Sequence, residues 1–79
     1  MTVESRLHTI FRSVFMDDRL VIRDSTTARD VAGWDSLAHI NLMFSVETEF
    51  GVRFTDDQLT SFGDVGELRR FLEARTHAA

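Results

Sequence analysis

The sequence predicts an all-α domain of four helices, three longer and one short, with a long irregular loop between the first two. Three observations carry this. Apolar residues recur every three or four positions, capping and turn residues fall between those stretches, and no convincing strand can be read. At 79 residues the chain, read as residues 1–79, is a single domain near the lower end of what folds alone.

Helix one is expected over residues 3–16. Val3, Leu7, Ile10, Phe11, Val14 and Phe15 make one apolar stripe, and Asp17-Asp18 ends it. Residues 17–35 lack a sustained period and read as an extended loop pinned by Leu20 and Ile22, with turn chemistry at Asp24-Ser-Thr-Thr27. A loop this long in so small a domain points to function. Helix two runs from 36 to 50, with Asp35 as its N-cap, Gly51 as a left-handed C-terminal turn, and Val52 folding back onto it. Thr55-Asp-Asp-Gln58 forms a capping box for a short third helix ending near Ser61. A similar box at Ser61-Phe-Gly-Asp64 starts the fourth helix, whose stripe is Val65, Leu68 and Leu72, flanked by Phe62 and Phe71. Gly66 inside it costs about 1 kcal/mol relative to alanine. Residues 76–79 read as a frayed tail.

Composition narrows the function classes. Nine basic and thirteen acidic residues give a net charge of -4, which argues against a nucleic-acid partner. There is no cysteine, so no disulfide framework and no cysteine-ligated metal is available. The first eighteen residues carry charges throughout, without the apolar core of a signal peptide, and no stretch approaches the roughly 20 apolar residues of a membrane span. A cytoplasmic monomer without a membrane partner is expected. The small size favours a binding, carrier or interaction module over a self-sufficient enzyme.

Helix two carries two apolar stripes. His39, Leu42, Met43, Val46 and Phe50 share one face, an ordinary core stripe. Leu37, Ile40 and Phe44 form a second at i, i+3 and i+7, beginning beside Ser36, which projects between the two. Either the loop or helix three covers this second stripe, or it stays partly exposed for visiting partners. Exposure is the expectation for Leu37 and Phe44, and Ile40 fits both.

Other chemistry fits less well. His39 lies three residues after Ser36, but no third orienting group is evident and Gly-Trp-Asp-Ser-Leu is not a Gly-x-Ser-x-Gly elbow. No catalytic residue is assigned; His39 reads as a core-edge histidine whose polar nitrogen reaches a loop carbonyl. Asp17, Asp18, Asp24 and Asp30 lack the alternating oxygens and sixth-position glycine of a calcium loop, so no metal site is assigned. Asp56 and Asp57 complement the dipole of the third helix. Trp34 reads as a hydrophobic anchor for the loop, and Val52 and Phe54 as core.

Gly33-Trp34-Asp35-Ser36-Leu37, followed by a helix ending Phe50-Gly51-Val52, resembles the acyl carrier proteins, in particular the discrete carriers of polyketide and related pathways. The order helix, long loop, Asp-Ser-Leu, helix, short helix, helix extends the resemblance over the whole chain. It implies an acyl-carrier-like bundle in which the Ser36 hydroxyl is esterified by a covalent 4′-phosphopantetheine arm from coenzyme A. A separate, magnesium-dependent phosphopantetheinyl transferase installs the arm, whose thiol holds acyl groups as thioesters. The chain itself would be a carrier and no enzyme. A phosphodiester at a helix start is electrostatically favoured, and without cysteine the delivered thiol would be the only one.

By position, Asp35, Ser36 and Leu37 would form the cofactor-binding motif. Leu37, Ile40 and Phe44 would be apolar partner contacts and Glu47 the acidic one, toward acyl-loading, ketosynthase or acyltransferase-type enzymes. Ala38 and Asn41 stand where fatty-acid carriers commonly place acids, which points away from housekeeping fatty acid biosynthesis and toward a specialised pathway. Two alternatives are a peptidyl or aminoacyl carrier, whose more frequent Gly-Gly/His-Ser-Leu form is absent, and a cofactor-free interaction module of the same fold.

Overall fold

A computed structural model describes residues 2–76. Four helices are present: α1 (Val3–Val14), α2 (Ser36–Phe50), α3 (Asp56–Leu59) and α4 (Val65–Thr76). A single 3-10 turn, Ala28–Asp30, interrupts the loop between α1 and α2, and no strand occurs among the described residues. The predicted all-α architecture with its long first loop is therefore observed. Of the tail expected at 76–79, residues 77–79 lie outside the described residues, and Thr76 belongs to the helix instead. Thr76 is the last residue of α4, and its hydroxyl donates to the Leu72 carbonyl at 2.8 Å.

α1 packs against both α2 and α4. Leu7, Ile10 and Phe11 from α1, Leu42, Met43, Val46 and Phe50 from α2, and Val65, Leu68 and Leu72 from α4 form one core with Ile22 and Phe54. The core stripes read from periodicity face this core, with Val3, Val14 and Phe15 partly buried at its edge. Val52 packs against this core, as does Leu20, and Ile22 is inside it, so the loop is anchored where the sequence indicated.

The helix ends follow capping chemistry. Thr2 and Ser5 close a reciprocal box at the start of α1, with Ser5 N–H on Thr2 Oγ1 at 3.0 Å and Thr2 N–H on Ser5 Oγ at 3.1 Å. The helix stops at Val14 rather than 16. Met16 turns left-handed (φ 52°), Met16 N–H donates to Ser13 O, and Asp17 N–H donates to Arg12 O at 3.0 Å. That is a Schellman ending with methionine where glycine is usual. Thr55 and Gln58 form the predicted box at α3, although the helix is shorter than expected and relaxes into turns at Thr60 and Ser61.

α4 starts at Val65, not at Ser61. Asp64 is its cap, accepting Glu67 N–H at 2.9 Å, while the Glu67 carboxylate reaches back to Gly63 N–H at 2.8 Å. Ser61 Oγ instead donates to Gln58 O. The next amides of α4 are taken by the loop: Val65 N–H donates to Thr26 O and Gly66 N–H to Asp24 O, both at 2.9 Å. This close approach explains Gly66, because a Cβ there would meet Asp24 Cβ at 2.9 Å and its carbonyl oxygen at 3.0 Å. Asp24 is further held by Arg69, which donates Nε and Nη2 to its two oxygens at 2.7 and 2.8 Å and Nη1 to Glu73. Hydrogen bonding to Arg69 lowers the Asp24 carboxyl below its ordinary value, and the same bonds raise the Arg69 guanidinium.

Candidate functional site

The loop arrives at α2 through a tight bend. Trp34 N–H donates to Val31 O, and Asp35 N–H to Gly33 O at 2.9 Å, across a glycine at φ 86°. A side chain at that φ is strained, which gives Gly33 its place before Trp34. Asp35 then caps α2, its Oδ1 accepting Ala38 N–H at 2.9 Å. Ser36, the first residue of the helix, is exposed, so its hydroxyl stands where the opening amides lack intrahelical partners and the dipole is positive.

An open groove of about 410 Å³ runs beside Ser36, lined by Ala28, Trp34, Asp35, Ser36, His39, Ile40 and Thr60. Behind it lies a more enclosed pocket of about 100 Å³, bounded chiefly by Trp34, His39, Leu42, Met43, Val65 and Leu68. Trp34 is the anchor the sequence suggested: its ring sits edge-on to Phe11 at 5.4 Å and tilted to Phe15 at 5.8 Å. It is also a wall of both spaces.

His39 stacks on Trp34 with centroids 6.0 Å apart. Its Nε2 meets the Leu59 carbonyl at 2.6 Å, and its Nδ1 accepts the Trp34 indole N–H at 3.1 Å. A carbonyl partner was anticipated, but on a loop rather than on Leu59 at the end of α3, and the indole contact was not anticipated. Two aromatic residues five positions apart carry no sequence signal for such a bond, because the bend at Gly33 creates it. Both ring nitrogens are committed, so His39 has none left to act as a base on Ser36.

The second stripe of α2 is exposed. Leu37 is 72 % accessible, Phe44 56 % and Ile40 38 %. Glu47, expected as the acidic member of that surface, is turned elsewhere: its Oε2 accepts Phe54 N–H at 2.8 Å, and its carbonyl accepts Gly51 N–H and Val52 N–H. Glu49 pairs with Arg6 at 3.0 Å. The acids at 17, 18, 24 and 30 form no metal-binding group among the described residues. No helix of the described residues is long and apolar enough to cross a membrane.

A family model described as a phosphopantetheine attachment site matches residues 5–72. The chain belongs to this phosphopantetheine-attachment family. The solution NMR structure of the holo acyl carrier protein from Geobacter metallireducens has the same fold: TM-score 0.86, 36 % identity, covering 99 % of this chain and 88 % of that one. As a phosphopantetheine-attachment protein, the chain is a carrier modified by a separate transferase, not a catalyst. Its cofactor is 4′-phosphopantetheine, covalently held. The residues fit such a group. An exposed hydroxyl at a helix start offers an attachment atom and favourable electrostatics for a phosphodiester, and the adjoining groove has room for a flexible arm.

Proposed function

We propose that Ser36 carries the 4′-phosphopantetheine arm, and that the protein shuttles acyl intermediates as thioesters between enzymes of a polyketide or related specialised pathway, as a cytoplasmic monomer. The observation behind this is the exposed Ser36 hydroxyl opening α2, next to the groove and one step from the exposed strip Leu37, Ile40 and Phe44. Bound there, the arm supplies a thiol that this cysteine-free chain lacks. Asp35 fixes the orientation of the helix start, and Leu37 flanks the attachment point.

The strip serves as the docking surface for the transferase and for acyl-loading, ketosynthase or acyltransferase-type partners. α2 has no acid in its first turn, and its two glutamates are engaged, Glu47 with Phe54 and Glu49 with Arg6. Recognition by apolar shape follows, which favours dedicated partners over the salt-linked docking of fatty-acid carriers. Incubation with coenzyme A, magnesium and a broad-specificity transferase should add one phosphopantetheinyl mass to the wild type and none to Ser36→Ala. A mass that persists in the variant refutes Ser36 as the site.

A further inference from the structure

We propose that His8 and His39 are two proton-operated clasps on the loop between α1 and α2, closed while both rings are neutral and opened by acid. His8 reaches from α1 to the first half of the loop, where Ile22 N–H donates to its Nε2 at 3.2 Å. His39 reaches from α2 to the end of the loop, where the Trp34 indole N–H donates to its Nδ1 at 3.1 Å. In both clasps the imidazole is the acceptor, and neither N–H has another partner among the described residues.

The two rings must then carry their protons on opposite atoms. Nε2 of His8 is bare, so its proton is on Nδ1 and is donated to the Glu4 carbonyl at 3.1 Å. In His39 Nδ1 is bare, and the proton on Nε2 is donated to the Leu59 carbonyl at 2.6 Å. An imidazolium carries a proton on both nitrogens and accepts at neither. One proton taken from solvent therefore sets N–H against N–H at each clasp. Ile22 is buried, and a buried amide left without an acceptor costs more than an exposed bond that water replaces.

The charges around the rings do not replace the lost acceptors. Glu4 and Arg12 line the hollow beside His8, and Arg12 already donates to Leu20 O. Arg23, next to Ile22, can only donate. Glu4 can pair with a charged His8, but that leaves Ile22 N–H unpaired all the same. Asp35 and Asp64 line the spaces beside His39, and they already accept the amides of Ala38 and Glu67. The α1 side chains against Trp34, Phe11 and Phe15, are uncharged. Histidine changes charge between about pH 5 and 8, whereas the ties from α4 to this loop do not. They are the Val65 and Gly66 amides, and Arg69 on an Asp24 carboxyl lowered below its ordinary value. Acid thus frees the two flanks of the loop and leaves its middle on α4. Trp34 and His39 both wall the groove beside Ser36, so the second clasp loosens that groove, whatever Ser36 carries.

The test is NMR of the unmodified chain at about pH 7.5 and about pH 5. At the higher pH, ring-nitrogen shifts should show His8 as the Nδ1–H tautomer and His39 as the Nε2–H tautomer. At the lower pH, the Ile22 amide and the Trp34 indole N–H should lose roughly tenfold or more of their protection against hydrogen exchange, after correction for intrinsic rates. The Val65 and Gly66 amides should keep theirs. Glutamine offers an acceptor that takes up no proton. His8→Gln should therefore keep Ile22 protected in acid while Trp34 still opens, and His39→Gln should do the reverse. The clasps are overturned if either tautomer is inverted, if either N–H stays protected in wild type at the lower pH, or if Val65 and Gly66 open with them. A folded glutamine variant that responds to acid as the wild type does overturns them too. Where a variant fails to fold, the wild-type tautomers and protection decide.

Discussion

Phe44 illustrates how a single side chain divides stability from recognition. Its ring is more than half exposed, with one edge over the groove between α1 and α2 near Ile10 and Val14. Phe44→Ala should cost under about 1 kcal/mol of stability, as surface truncations do. On the docking strip proposed above, the same change should cost more than about 1.4 kcal/mol, or tenfold in partner affinity. Thermal melts and a binding titration with a partner enzyme separate the two, and a large fall in melting temperature would assign Phe44 to the core. Glu47 shows where reading by position fails. Helical spacing places it near the strip, but the left-handed turn at Gly51 swings Phe54 N–H into reach, and the carboxylate closes that turn instead. Composition gives no warning of this, because the amide belongs to a residue seven positions away.

Among the elements, α2 was fully legible, with both ends marked by Asp35 and Gly51 and both stripes set by period. α3 was legible in its start, since Thr55 and Gln58 satisfy each other locally. The start of α4 was not. Two candidate caps, Ser61 and Asp64, compete in sequence, and the choice is made by the carbonyls of Asp24 and Thr26, which no local pattern reveals. The end of α1 hid a similar feature in Met16, left-handed and 91 % exposed. The left-handed region costs an L-residue about 1–2 kcal/mol, and glycine loses part of that advantage to its unfolded-state entropy. Met16→Gly should therefore raise stability by about 0.5–1 kcal/mol, read as a rise of a few degrees in melting temperature. An unchanged or lower midpoint would mean that the methionine makes contacts worth as much as the strain.

At the scale of the whole molecule, the Asp24–Arg69 fork ties the first loop to the last helix across 45 residues of sequence. Its pH dependence has a definite sign. Asp24 has a carboxyl lowered in the folded state from the ordinary 3.8, so its contribution is fully present above that value and is lost as pH falls through the lower folded value. Asp24→Asn should lower the denaturation midpoint at neutral pH, with the gap to wild type closing below about pH 4. A gap that stays constant to pH 2 would rule out the charge as its source.

The loop carbonyls on Val65 and Gly66 give the connection of 21 residues between Val14 and Ser36 two unequal halves. Around Asp18 the backbone is exposed and extra residues could be spliced in as a bulging tip, which makes that point suitable for a tag or a fluorophore. Between Asp24 and Thr26 the same graft would shift the acceptors out of register with α4 and unseat the helix that walls the pocket.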